Sequence, residues 1–189
     1  MEPQGRRSMA EAPLNSEQTD RPPKWRPSVW DLLLAVGVIW VLVQQGPAWL
    51  NSVEMTGVRP KIMTTQGLDG QVVDVPQDGP KIYVFWATWC GPCHRQLASF
   101  KMLVESGEMS ADKVVAISLD ESKQDILNYQ TREQLPFRVV WDSSGLVRKE
   151  FQIMMTPTMA MVDGSGQIID YSSGLSLFTA RWAKKVGAL

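Results

Sequence analysis

The sequence predicts an α/β domain, a mixed sheet covered by helices on both faces, preceded by one N-terminal transmembrane helix. Three observations predict it. Apolar runs with strand character at residues 81–86 and 114–119 alternate with segments of helical spacing. Two further runs, at 158–162 and 167–171, flank Asp163-Gly164-Ser165-Gly166 as a closing hairpin. Strands that first alternate with helices and then pair as a hairpin give a mixed sheet. Third, residues 29–43 are apolar except for Asp31.

Size and charge bound the rest. The chain has 189 residues, 44% hydrophobic and 21% charged, with net charge −1, which is one ordinary domain plus extra segments. The near-neutral balance leaves no nucleic-acid footprint. Two cysteines cannot make a disulfide scaffold.

Residues 1–27 are rich in Pro, Glu, Gln, Ser and Arg, so they cannot bury a core and are expected to be a disordered cytoplasmic tail. The apolar run 29–43 rises about 22 Å as a helix, short of the roughly 30 Å hydrocarbon core. Extension to Leu50 closes the gap and sets Trp30 and Trp49 near the two interfaces, so 28–50 is expected to be the anchor. Arg21, Lys24 and Arg26 crowd its N-terminal flank. The positive-inside rule then leaves the N-terminus in the cytoplasm and the C-terminal domain in the periplasm, tethered to the inner membrane. Two readings compete with the anchor. One is a cleaved signal, with cleavage at the small residues Gly46 and Ala48. The other is a buried helix of the folded domain, which would find no nearby partner element because polar tail and linker flank it.

Residues 51–60 read as a linker, and 61–189 as the folded domain. Residues 63–65 and 71–75, with Gly67 to Gly70 between them, form a short hairpin. Asp78-Gly79-Pro80 is a turn before the strand at 81–86. A helix opens at Gly91 and fades by Ser106-Gly107. The strand at 114–119 gives way to a helix capped by Ser122 and running to about Gln134. A strand at 137–141, a turn at 142–145, the closing hairpin and a last helix at 177–186 complete the chain.

The chemistry lies in Cys90-Gly91-Pro92-Cys93. A C-x-x-C directly after a buried strand, at the start of a helix, is placed for reversible disulfide exchange. The free N–H groups and partial positive charge of the helix start favour the thiolate of Cys90, making it the attacking sulfur and Cys93 the resolving one. Pro92 presets a helical φ, and Gly91 leaves room for a partner's backbone. A structural bridge closing so small a ring removes little entropy from the unfolded chain. A metal site would have to enlist carboxylates, because His94 is the only histidine. No metal and no cofactor are expected.

The chain carries, in order, Phe85-Trp86-Ala87-Thr88-Trp89-Cys90-Gly91-Pro92-Cys93, the run from Val114 to Ser122, Leu135-Pro136-Phe137, Asp142-Ser143-Ser144-Gly145, and Thr156-Pro157-Thr158 with Val162-Asp163-Gly164-Ser165-Gly166. This ordered set resembles the thioredoxin superfamily, and within it the membrane-anchored TlpA/ResA-type thiol–disulfide oxidoreductases. The resemblance implies a thioredoxin-like fold from about residue 62 to the C-terminus. It also implies a cis-proline at Pro157 facing the dithiol and Thr156 as a substrate contact. Trp89 is expected at the rim of the site, with Gly91 and Pro92 beside the substrate.

Two positions depart from the family pattern. Thioredoxins commonly carry Asp where this chain has Val84, and TlpA/ResA-type proteins often carry Glu where it has Gln96. Neither residue here accepts a proton, so Cys93 lacks an obvious base. His94 is expected to face solvent. Met154, Met155, Met159 and Met161 read as core or rim filling. The expected activity is reduction of protein disulfides, with electrons delivered by a membrane donor. Thiol oxidation or isomerisation, and a non-catalytic copper module built on the same CGPC, remain the alternatives.

Overall fold

The structure is a computed structural model that describes residues 28–61, 63–75 and 77–188, with side chains described outside 44–52. Contacts divide the chain into two units, 1–39 and 40–189. Helix α1, Val29–Met55, contributes to both. Within the first unit its start is capped locally. The Trp30 amide approaches Ser28 Oγ at 3.4 Å, and the Ser28 amide donates to Asp31 Oδ2 at 2.8 Å. Asp31, the one charge in the apolar run, thus meets the positive end of the helix.

Among the described residues no helix is long and apolar enough to cross a membrane. The disorder expected of 1–27 and the interfacial place expected of Trp49 lie outside the described residues. The helix also continues past Leu50 into the stretch read as linker. Met55, its last residue, is buried in the second unit's core.

Among the described residues of that unit seven strands form one mixed sheet in the order β2-β1-β5-β4-β3-β6-β7. They are β1 (Thr64–Gln66), β2 (Val72–Asp74), β3 (Lys81–Trp86), β4 (Val114–Ser118), β5 (Arg138–Trp141), β6 (Thr158–Val162) and β7 (Ile168–Ser173). β3, β4 and β5 are parallel, while β6 runs antiparallel to β3 and pairs with β7. β3 and β4 are buried at every position, which is why they read as unbroken apolar runs rather than alternating ones.

Alternation still sorts their side chains. Ile82, Val84 and Trp86 join Leu97, Phe100, Ile126, Tyr129, Trp182 and Val186 on one face. These come from α2 (Gly91–Glu105), α3 (Lys123–Glu133) and α5 (Thr179–Gly187). Tyr83, Phe85, Val115 and Ile117 join Val147 and Phe151 on the other. That face is covered by α4, Leu146–Glu150, a stretch to which the sequence assigns no element. Five residues are too few for a periodic signal. The buried Asp142 carboxylate starts the helix instead, accepting from the Val147 and Arg148 amides at 3.2 and 2.6 Å.

Candidate functional site

β3 delivers the chain out of the sheet through Ala87, Thr88 and Trp89 to Cys90, the N-cap of α2. Cys90 has extended backbone, and its sulfur accepts from the Cys93 amide at 3.3 Å. One helix N–H group thus already points at the sulfur expected to carry the charge. The two cysteines are joined, with S–S 2.05 Å and Cα–Cα 5.2 Å. Cys90 is 5% exposed and Cys93 is wholly buried. A partner therefore reaches the pair through Cys90.

Around it, Trp89 is 75% exposed while Trp86 is buried in the core. Gly91 and Pro92 are exposed. A Cβ added at Gly91 meets nothing within 4 Å, so the fold itself does not require glycine there. The Thr156–Pro157 bond is cis. Thr158 lies opposite Phe85 in the β3–β6 ladder, so Pro157 sits at the sheet end from which β3 leads to Cys90. Of the four methionines, Met159 and Met161 are buried and Met154 and Met155 exposed.

The loop before Cys90 is held from two sides, and sequence reasoning missed both. The buried Asp120, just beyond β4, takes the Thr88 amide on both carboxylate oxygens at 3.0 Å and the Thr88 hydroxyl at 2.6 Å. Ser118 Oγ donates to the same carboxylate at 2.7 Å. On the other side His94 does not simply face solvent. Its Nε2 lies 2.8 Å from the Thr88 carbonyl, which can only accept, so Nε2 carries the proton. The His94 ring packs on Tyr129, centroids 4.9 Å apart, and Tyr129 in turn packs on Trp86 at 4.8 Å. Burial, then the charge of Glu133, pushes the Tyr129 phenol up to about 12. It stays neutral at working pH and serves as packing. A polar residue two beyond a buried strand was the only available signal for Asp120, and for His94 its i,i+4 relation to Cys90.

Val84 is fully buried, as a strand residue between β4 and β6 must be. Gln96 is also fully buried, one turn beyond Cys93 on the same face of α2. Its two ends are occupied: Nε2 donates to Thr179 Oγ1 at 3.0 Å, and Oε1 accepts from the Ser176 amide at 2.9 Å. A Gln96→Glu carboxyl in this place would have its pKa raised by burial, toward the range of a useful base. The variant is expected to speed resolution of a mixed disulfide up to about tenfold between pH 6 and 8, less than the full contribution of a placed base because water already serves in part. Single-turnover release of a preformed mixed disulfide measures it; an unchanged rate would mean that proton removal from Cys93 does not limit.

The sequence model of the AhpC/TSA family matches residues 60–171. The chain belongs to that family. It is 27% identical over 131 residues to "Sporulation thiol-disulfide oxidoreductase A" of Bacillus subtilis, covering 67% of this chain and 79% of the relative. It is 23% identical over 145 residues to "Thiol-disulfide oxidoreductase ResA" of Bacillus thuringiensis subsp. konkukian, covering 76% and 84%. The crystal structure of StoA from Bacillus subtilis superposes with a TM-score of 0.57 at 25% identity, covering 69% of this chain and 98% of that one. The resemblance read from the motifs, to thioredoxin-like thiol–disulfide oxidoreductases of the ResA type, stands on this AhpC/TSA membership and these relatives.

Proposed function

We propose that this protein is a membrane-anchored reductase of protein disulfides, acting outside the cytoplasm through the Cys90/Cys93 dithiol. That the chain is an oxidoreductase of thiols and disulfides follows from its family and its relatives' names. The observation that supports the use of the Cys90/Cys93 pair is its placement, Cys90 at the helix start and 5% exposed, Cys93 fully buried one turn behind it.

In the reduced enzyme the Cys90 thiolate attacks one sulfur of a substrate disulfide. A Cys90–substrate bond forms, the substrate S–S bond breaks, and one substrate thiolate leaves. The Cys93 thiolate then attacks the Cys90 sulfur, releasing the second substrate thiolate and leaving the Cys90–Cys93 disulfide. Two electrons pass to the substrate, and the Cys93 proton goes to water or a nearby base. Trp89, Gly91, Pro92, Thr156 and Pro157 contact the substrate around Cys90. Oxidation or isomerisation of thiols is the same sequence reversed or interrupted, and reduction potential decides between them: 30 mV is about 1.4 kcal/mol for this couple. Outside the cytosol the compartment is oxidising, so a reductase there draws its electrons from a donor in the membrane.

The anchor is α1. Leu32, Leu33, Leu34, Val36, Ile39, Trp40, Val41 and Leu42 are each between 49 and 69% exposed and lie all round the helix, a distribution suited to lipid. Spanning takes about 20 residues, so it requires the part of α1 beyond Val43.

The test is turnover of insulin disulfides by the detergent-solubilised full chain with dithiothreitol as donor. A copper holder that catalyses nothing gives no turnover above the donor alone. A reporter active only outside the cytoplasm, fused after Leu189, is expected to be active, and the chain to stay in membranes through carbonate extraction. A shortened soluble chain would point to cleavage near Ala48 instead.

A further inference from the structure

Disulfide exchange depends on how Cys90 is held against Cys93, and the approach to Cys90 is braced by a circuit of contacts that closes on His94. With Cys90 as the N-cap of α2, Cys93 is the third helical residue and His94 the fourth. Thr88 and Trp89 are the two residues before the cap. A contact from the fourth helical position back to the residues before the cap fixes the angle at which the chain enters a helix, and it is ordinarily apolar. Here it is a hydrogen bond, donated by His94 Nε2 to the Thr88 carbonyl at 2.8 Å.

Each part of the circuit is placed by another. The His94 amide donates to the Cys90 carbonyl at 3.3 Å, so the helix backbone sets His94 against Cys90. The imidazole packs on Tyr129 of α3, and Tyr129 packs on Trp86, the last residue of β3 and two before Thr88. Thr88 itself is taken on its other side, its amide and hydroxyl by the Asp120 carboxylate. A phenylalanine in place of His94 could pack on Tyr129 as a ring. It could not reach the Thr88 carbonyl as a donor. That carbonyl belongs to the peptide leading into Trp89 and Cys90, so the donor is what fixes the entry to the dithiol.

The bond matters unequally to the two redox states. In the oxidised chain the S–S bond itself ties the cap to the third helical residue. In the dithiol and in a mixed disulfide that tie is gone, and the place of Cys90 rests on the loop's own hydrogen bonds. A loop already held in the closing geometry gives up little freedom when the bond forms, which favours closure. We propose that His94 is a positioning residue for the dithiol, its bond to Thr88 raising the effective concentration of one sulfur at the other. In the step it serves, the Cys93 thiolate attacks the Cys90 sulfur of a mixed disulfide. The Cys90–Cys93 bond forms, and the partner's sulfur leaves as a thiolate with the electron pair of the broken bond. The assignment rests on this exchange and holds for either direction of electron flow.

The test compares the detergent-solubilised full chain with His94→Phe, which keeps a ring for Tyr129 and loses the donor, and His94→Gln, which keeps a donor and loses the ring. One readout is the equilibrium of the Cys90–Cys93 pair with reduced and oxidised glutathione, scored by mass after alkylation. The other is the alkylation rate of Cys90 in the reduced chain. A net hydrogen bond is worth roughly two- to tenfold in an equilibrium constant. His94→Phe is therefore expected to weaken closure about fivefold, which raises the potential by about 20 mV, and to leave Cys90 alkylation within about twofold. His94→Gln is expected to restore most of the loss. A merely structural bond would destabilise both redox states alike, so an unmoved potential in His94→Phe overturns the proposal. Equal loss in His94→Gln also overturns it, by assigning the effect to the ring. So does Cys90 alkylation that falls as far as closure, which would place the effect on the thiolate itself. A wild-type pair that does not exchange with glutathione would overturn the dithiol chemistry, and this assignment with it.

Discussion

Cys90→Ser is expected to abolish disulfide exchange, and Cys93→Ser to turn the protein into a trap for its substrates. A hydroxyl at the helix start does not ionise at neutral pH and cannot attack sulfur, so the Cys90 variant should fall by at least about 10³-fold, to the rate of the donor alone. The Cys93 variant keeps the attacking sulfur and the helix N–H beside it but cannot resolve the intermediate. It should accumulate one mixed disulfide per chain, visible by mass on non-reducing gels and released by dithiothreitol. The asymmetry follows from burial, since Cys90 is the sulfur with any exposure and Cys93 has none. Alkylation of the reduced wild type at neutral pH should accordingly modify Cys90 first. Trapping by Cys90→Ser rather than by Cys93→Ser, or faster alkylation of Cys93, would reverse the two roles.

Asp120→Ala is expected to cost about 2–4 kcal/mol of stability and to slow exchange as well. Its carboxylate is the acceptor for the Thr88 amide, the Thr88 hydroxyl and the Ser118 hydroxyl. Removing it strands three donors in a largely buried place, where each unsatisfied group costs about 1–3 kcal/mol, less than additively because neighbours relax and Thr88 is only part-buried. Those bonds fix the loop that delivers Cys90, and misplacement of a reacting group can cost up to about 10²-fold in rate. Asp120→Asn keeps one acceptor oxygen and should lose less on both counts. Denaturant midpoints and single-turnover rates on the folded variants check this. A midpoint within error of wild type for Asp120→Ala would show that the carboxylate is not what holds the loop.

The reading of the fold from sequence succeeded where signals are local and repeated. β3 and β4 are continuous apolar runs because both of their faces are covered, and Ser122 announces α3 by capping it, accepting from the Asp125 amide at 3.4 Å. The C-x-x-C is legible by itself, since four adjacent residues hold both sulfurs of the pair. The short elements were harder. α4 has one buried apolar residue and owes its start to a carboxylate outside it. The single-residue pairing of Gln66 with Trp141 that joins the β1–β2 hairpin to β5 has no pattern at all.

What the sequence by itself determined is thus the alternation of strands and helices and the dithiol at a helix start. What only the tertiary structure decided is how that dithiol is held and what surrounds it. Asp120 meets Thr88 across 32 residues, Gln96 meets Thr179 across 83, and His94 folds back on a loop that precedes its own helix. Hydrogen bonds of this kind depend on which strands become neighbours. Periodicity and capping report only the burial and termini of single elements, so the partner of a buried polar side chain is fixed when the sheet order brings distant segments to the same edge.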